Sequence, residues 1–287
     1  MSGLLNSVNT NTGAMVALDA LDTTNSQLNS VQKQISTGYR VADATDDGAA
    51  YAVAQGVRSS VGALTTANQQ LGSTQGLLAT TSSALNDVSN LMSSMRDVLN
   101  DLSTGSTIGN ERSQYAAQYN SLLANVKSDI QDAAYASTTL IGNVTGSSGS
   151  FARVSVVRND VGTTYGIATF SGSAVLGSLS FTSTQLSAAT TVDALITATG
   201  TFNNQSNSVS TAMNNYGSAT NYVNNQISYN NDKISSLNTG LGALVDADLA
   251  QESATLQSLQ IKQQLGTQSL TLADQTPQVL LSLVKAA

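Results

Sequence analysis

The 287-residue chain has no cysteine, no histidine and no tryptophan, and its only proline is Pro277. Without cysteine there are no disulfides and no thiolate chemistry, and without either residue the usual zinc sites are excluded. With no histidine, a serine nucleophile has no imidazole base. With one proline, almost nothing interrupts long helices. Aromatic residues make up only 5% of the chain, so the 40% apolar content rests on Ala, Leu and Val, which suit slender helix–helix seams better than a thick core. Charge is also scarce: 11 Lys and Arg are scattered against 18 Asp and Glu, for a net charge of -7. A nucleic-acid partner would need a basic face to meet phosphates, so none is expected. No apolar run approaches the roughly 18 residues that cross a bilayer, so no membrane partner is expected either. The segment Met1–Asn6 lacks the basic and apolar regions of a secretory signal, which taken alone points to the cytoplasm. The polar faces are filled by Ser, Thr, Asn and Gln. Such a surface repels its neighbours weakly and suits dense packing of identical subunits.

What is present is mainly helical periodicity. Leu18, Leu21, Leu28, Val31 and Ile35 step by 3, 7, 3 and 4, which is heptad spacing, and Gly38 is placed to stop that helix. Thr45–Gly48 is an N-cap signal, followed by an alanine-rich stretch to about Val61. Leu71, Leu78, Leu85, Val88, Met92, Met95, Leu99 and Leu102 predict a helix over 69–102, broken by Ser103–Asn110. Tyr115, Tyr119, Leu122, Val126, Ile130 and Ala133 line one face of a further helix over about 111–136. The pattern changes near Leu140. Phe151–Val157 and Thr164–Phe170 alternate as strands around a turn at Asn159 and Asp160, Ala174–Thr182 reads as a third strand, and Thr191–Ala198 as a short helix. Helical period returns at Val209, Met213, Tyr216, Val223, Ile227, Ile234, Leu237 and Leu241, with Gly240 and Gly242 expected to break it. Leu249, Leu256, Leu259 and Leu270 mark a last helix, expected to end at Pro277, before the apolar tail that holds Leu280 and Leu281.

The expected fold is therefore mainly α. The N- and C-terminal halves pair as a discontinuous antiparallel coiled-coil or helical-bundle rod, with a small β-hairpin-rich insert in the middle. A lone amphipathic helix at each chain end has nothing to cover its apolar stripe unless it finds a partner. That makes Leu18, Leu21, Leu28, Val31, Ile35, Leu249, Leu256, Leu259, Leu270, Leu280 and Leu281 candidate self-association residues.

Chemistry finds no foothold. The adjacent Asp46 and Asp47 point about 100° apart on a helix, a poor geometry for acid–base work, so capping is their expected role. Ser30–Lys33 and Ser282–Lys285 match Ser-x-x-Lys, but the motifs that accompany it in serine acylases are missing. No glycine-rich phosphate loop is present. No enzyme activity, cofactor or metal is expected.

The segment Ile35–Ala50, ISTGYRVADATDDGAA, resembles the N-terminal signature of bacterial flagellins, and Asp246–Ser253, DADLAQES, resembles their C-terminal one. Gln263–Leu270 and Ala273–Leu283 resemble the same family's ending. The resemblance spans about 1–140 and 206–287. It implies a structural subunit that polymerises into a flagellar filament for swimming motility, close to a minimal flagellin of alphaproteobacterial type. It also implies an inner-core layer from 1–42 and 245–287, a helical rod from 43–140 and 206–244, and a variable outer insert at 141–205. Terminal helices would bundle around a central channel, and Arg40, Asp46 and Asp47 would join the inner layer to the rod. The implied partners are further copies in a homopolymer, other flagellins, hook-junction and cap proteins, and an export chaperone. Export would run unfolded through a type III apparatus, which needs no cleavable signal, and the implied location is the extracellular filament. One motif departs from the family. The stretch read by a vertebrate Toll-like receptor falls at Met92–Val98, where Arg96 and Asp97 fit but Ser94 replaces an arginine, which puts receptor recognition in question. The rival readings are a hook–filament junction protein, and a secreted binding protein that presents 145–205 on a helical stalk.

Overall fold

The computed structural model describes residues 10–286, with side chains through Gln275. In chain order the elements are α1 (Thr12–Thr37), α2 (Gly48–Ser103), α3 (Gly109–Asp132), β1 (Thr138–Thr139), β2 (Ser150–Phe151), β3 (Val154–Val157), β4 (Thr164–Ile167), α4 (Gly172–Leu179), α5 (Ser183–Leu186), α6 (Ala189–Ile196), α7 (Thr201–Val245) and α8 (Leu249–Ala286). The chain divides into two compact units, 1–59 with 236–287, and 60–235. Helices α2 and α7 contribute residues to both.

The helix ends follow local chemistry. Asn11 Oδ1 accepts the Ala14 N–H at 3.1 Å to cap α1, and Gly38, at φ 75°, closes that helix with its N–H on the Gln34 carbonyl. Asp47 Oδ1 accepts the Ala49 and Ala50 N–H groups at 3.0 Å each and starts α2. Asp248 does the same for α8 through Ala250 and Gln251. The many hydroxyls inside the helices bond to their own backbone: buried Thr74 and Thr81 donate to the Gln70 and Leu77 carbonyls four residues back.

In the 60–235 unit, all eight α2 residues of the expected seam, from Leu71 to Leu102, are buried. They pack with Tyr119, Val126, Ile130 and Ala133 of the α3 region and with Val209, Tyr216 and Val223 of α7 in one continuous core. At the edge of the insert, β1 and β2 pair in parallel, Thr138 opposite Ser150. Strands β3 and β4 form an antiparallel hairpin with Val154 opposite Ile167 and Val157 opposite Thr164. A polar latch holds that hairpin to the helices. Fully buried Asn230 donates to Asn68 Oδ1 at 2.8 Å and to the Arg158 carbonyl at 3.0 Å, Lys233 pairs with Asp160 at 2.8 Å, and the Tyr165 and Tyr222 rings stack at 4.0 Å. Arg112 ties three carbonyls together: Leu102 at the end of α2, Thr107 in the following loop, and Leu186 of α5.

Several expectations need correction. Residues 174–182 do not form a strand. Ser171 caps α4, and Val175 and Leu179, one helical turn apart, are both buried, so the segment follows period 3.6 and the insert carries one hairpin and three short helices. The predicted long helix over 69–102 begins much earlier, at Gly48, and α3 ends at Asp132 rather than 136. Gly240 and Gly242 do not break α7. Their helix cost, about 1 kcal/mol each, is offset by burial beyond them, where Leu241, Leu244 and Val245 pack with Val41, Ala50, Tyr51 and Ala54. Likewise α8 runs past Pro277 to Ala286.

Candidate self-assembly interface

The terminal helices α1 and α8 pair antiparallel. Gln263 Nε2 donates to Asn25 Oδ1 at 2.7 Å, Asn11 Nδ2 donates to the Ala273 carbonyl at 2.8 Å, and Gly266 lies against Leu21. The less exposed positions include Ala14, Ala17, Leu21, Thr24, Leu28, Val31 and Ile35 of α1, with Asn25, Lys33 and Gln34 beside them, and Glu252, Leu256, Leu259, Gln263, Gly266, Leu270 and Ala273 of α8, with Thr255 beside them. The seven seam positions of each helix alternate steps of 3 and 4, the seam of a coiled coil. Its apolar centre is Leu28, Val31 and Leu259, with Ile35 and Leu256 against them.

This arrangement divides the sequence-predicted association residues into two groups. Leu28, Val31 and Leu259 are buried, and Leu21, Ile35, Leu256 and Leu270 half-buried, all at seam positions within one chain. Leu18 and Leu249 are exposed. The Leu280 and Leu281 side chains lie outside the described residues. Further apolar residues, which the seam reading passed over, stand exposed on the same two helices: Met15 and Val16 on α1, and Ile261, Leu265 and Leu272 on α8. Ile261, Leu265 and Leu272 step by 4 and 7, so α8 carries a second apolar stripe with the same period as its seam. That spacing was available in the sequence. Which stripe meets α1 was not.

The segment between α1 and α2 is tied to the end of α7 and the linker that follows it by a short set of bonds. The Arg40 and Val41 N–H groups both donate to the Val245 carbonyl, the Ala247 N–H donates to the Gly38 carbonyl, and Arg40 Nη2 reaches the Leu244 carbonyl at 2.6 Å. Asp46 and Asp47 have separate roles. Asp47 caps α2, whereas Asp46 Oδ2 accepts the Ala42 and Asp43 N–H groups and its carboxylate takes Lys33 Nζ at 2.8 Å. Lys33 also reaches Asp43 at 2.7 Å. The Lys33 hydrogen bond holds both carboxyls below the usual carboxylate range, and its two partners raise Lys33 in turn. The sequence reading found Arg40, Asp46 and Asp47 but not Lys33, Asp43 or Asp248.

Among the described residues no helix is long and apolar enough to cross a membrane. The family model for the bacterial flagellin N-terminal helical region matches residues 8–145, and that for the C-terminal helical region matches 192–284. Similar curated proteins include flagellin FljO of Caulobacter vibrioides, 32% identical over 98% of this chain and 99% of its own, and flagellin FljK of the same organism, also 32% identical over 98% and 99%. A flagellin of Brucella melitensis is 31% identical over 97% of this chain and 99% of its own. A crystal structure of Bacillus cereus flagellin aligns with a TM-score of 0.39 and 15% identity, over 66% of this chain and 94% of that one. With both terminal helical regions matched in order, and relatives above 30% identity along nearly the whole length, the chain belongs to the bacterial flagellins, as a short member of alphaproteobacterial type.

Proposed function

We propose that this flagellin assembles through the face that the α1–α8 pair leaves uncovered, and that the α1–α8 seam itself is made within each subunit. As a flagellin the chain is a structural subunit of the extracellular flagellar filament and not an enzyme. The named relatives are all flagellins, and none favours a hook–filament junction protein or a stalked binding protein. The observation that carries the assembly reading is the set of exposed apolar side chains on the two terminal helices: Met15, Val16, Leu18, Leu249, Ile261, Leu265 and Leu272. Among the described residues, this second stripe on an already paired helix has no covering partner. Copies that repeat one such contact without closing build a helical filament.

In this reading 1–42 and 245–287 form an inner layer around a central channel. Residues 43–140 and 206–244 form the surrounding helical rod, and 141–205 faces outward. Arg40, Asp46 and Asp47 lie at the junction of the two helical layers. Leu280 and Leu281 continue the inner layer. Hook-junction and cap proteins and an export chaperone are the further partners such a subunit requires, with export through a type III apparatus. Deleting 1–42 or 245–287 is expected to leave the 60–235 core folded and unable to polymerise. Electron microscopy after seeding checks this, and normal filaments from either truncation would overturn it.

A further inference from the structure

We infer that the loop at 103–109 of one subunit seats Ile108 in the groove between β4 and α7 of a neighbouring copy. This contact is separate from that of the terminal helices, and it rests on the same reading, that copies of the chain assemble. Ile108 is out of place by local rules. It occupies the N-cap of α3, makes no side-chain cap bond, and is 71% exposed. Aliphatic residues are among the worst N-caps, and Ser, Thr, Asp or Asn would serve the helix better. The loop nonetheless holds it firmly. Thr107 Oγ1 donates to the Asp101 carbonyl at 2.9 Å and lies 2.8 Å from Thr104 Oγ1, and the Arg112 guanidinium donates to the Thr107 and Leu102 carbonyls. An exposed aliphatic side chain on a braced loop is a preformed contact, with little freedom left to lose on docking.

The groove supplies the counterpart. It encloses about 630 Å³ between residues 165–170 and one side of α7. Ile167, Phe170, Ala212 and Tyr216 give it apolar walls, and Thr211 and Asn215 stand exposed on its α7 side. No residue lining it is charged, and neither is any residue of 194–231 or of the loop 103–109. Charge is kept on other faces: Asp87, Arg96, Asp97, Glu111 and Lys127 are exposed on α2 and α3. In a chain of net charge -7, two surfaces free of charge can meet without burying an unpaired ion or setting like charges against each other. That favours a second copy as the occupant over a charged partner. The alignment of α2 with α7 rules out the chain's own loop. Asn68 bonds Asn231 at 2.8 Å and Gln75 bonds Asn224 at 2.9 Å, so the two helices run antiparallel. Counting on from these pairs, the groove lies beside about residues 80–92 of α2, and at about 1.5 Å per residue the loop stands roughly 25 Å beyond its middle. A loop that cannot reach its own groove fills that of a copy displaced along the helix axes, and such a heterologous contact repeats from copy to copy.

The chain has no cysteine, so crosslinking reads the contact cleanly. Full-length chains with Ile108→Cys are co-assembled with chains carrying Thr211→Cys, and the filaments are oxidised mildly. In a control, Ser94→Cys, exposed on α2 outside the groove, replaces Thr211→Cys. A disulfide needs its two Cα atoms within about 7 Å, so the mixed dimer is expected in filaments, and neither before assembly nor with the control. Ile108→Ser gives a second measurement. Serine is the better N-cap, so a merely structural role predicts a monomer of equal or higher melting temperature and unchanged assembly. Docking predicts the same monomer but a critical concentration about five- to thirtyfold higher, the effect of leaving one largely exposed isoleucine without its burial on assembly. Normal filaments that give no mixed dimer, or as much of it with the control, overturn the contact and leave the terminal face standing. Assembly of Ile108→Ser at the parent concentration overturns it equally. Parent chains that form no filaments overturn both.

Discussion

Replacing Ile261, Leu265 and Leu272 by glutamine separates the outer stripe of α8 from its seam. These side chains are 58%, 56% and 65% exposed in the single chain. Fully burying one aliphatic side chain is worth about 1.5–3 kcal/mol, so covering the exposed part of each contributes about 1–2 kcal/mol on assembly. Lost together, they remove about 3–5 kcal/mol, a rise of about a hundred- to ten-thousandfold in the critical concentration for polymerisation. Glutamine is a good helix former, and none of the three sits in the α1–α8 centre, so helix content is expected to stay unchanged by circular dichroism. Sedimentation of seeded filaments over a concentration series gives the critical concentration. As a contrast, Val31→Ala with Leu259→Ala opens the seam inside each chain, at about 2–4 kcal/mol for the buried leucine, and exposes α1 and α8 separately. If the triple glutamine variant polymerises at the concentration of the parent chain, the stripe is not the assembly face.

Three further outcomes follow from the geometry. Arg112→Met leaves the Leu102, Thr107 and Leu186 carbonyls without their shared donor and should lower stability by about 3 kcal/mol in chemical denaturation; a loss under about 1 kcal/mol would show that water replaces it fully. The Asp129 carboxyl is raised by burial and by Asp87 and Asp132, so its charged form is disfavoured in the folded state and stability is lost as pH climbs through the raised value. Asp129→Asn should therefore raise the melting temperature at pH 7 but not below the unfolded carboxylate value of about 3.9, and an equal gain at both would refute the cause. Between α1 and α2, Asp43 and Asp46 are held low by Lys33, so their contribution is present above about pH 3.9 and fades as pH falls through their lowered values. Amide protection at Ala42 and Asp43, whose N–H groups Asp46 accepts, taken relative to the intrinsic exchange rate at each pH, should fall with acid in the parent chain and respond less in Lys33→Met; identical profiles would remove Lys33 from that role.

Much of the site was legible because helix periodicity is local. The α2 seam from Leu71 to Leu102 was readable because each of its residues meets the same core, so spacing alone identifies the face. Gly38 and Asp47 were readable because a helix end is decided within a few residues by backbone freedom and one side-chain acceptor. The paired motifs at Ile35–Ala50 and Asp246–Ser253 carried the family. The sequence misled where a local preference met a non-local gain. Gly240 and Gly242 ask for a break, yet the residues beyond them are buried against Val41, Ala50 and Ala54. The run at 174–182 has β-compatible residues, but burial of Val175 with Leu179 selects the helix.

The sequence by itself therefore determined the faces of the long helices, the stop of α1 at Gly38 and the cap that starts α2, and that the chain ends carry apolar stripes in need of a partner. Only the tertiary structure decided which part of that surface is spent inside the subunit. Ile261, Leu265 and Leu272 repeat with the same heptad-compatible steps as the seam residues of α8, so no periodicity can rank one stripe over the other. The choice is made by the position of α1, and that position rests on contacts between residues more than two hundred apart: Gln263 to Asn25, Gly266 to Leu21, and Asn11 to the Ala273 carbonyl.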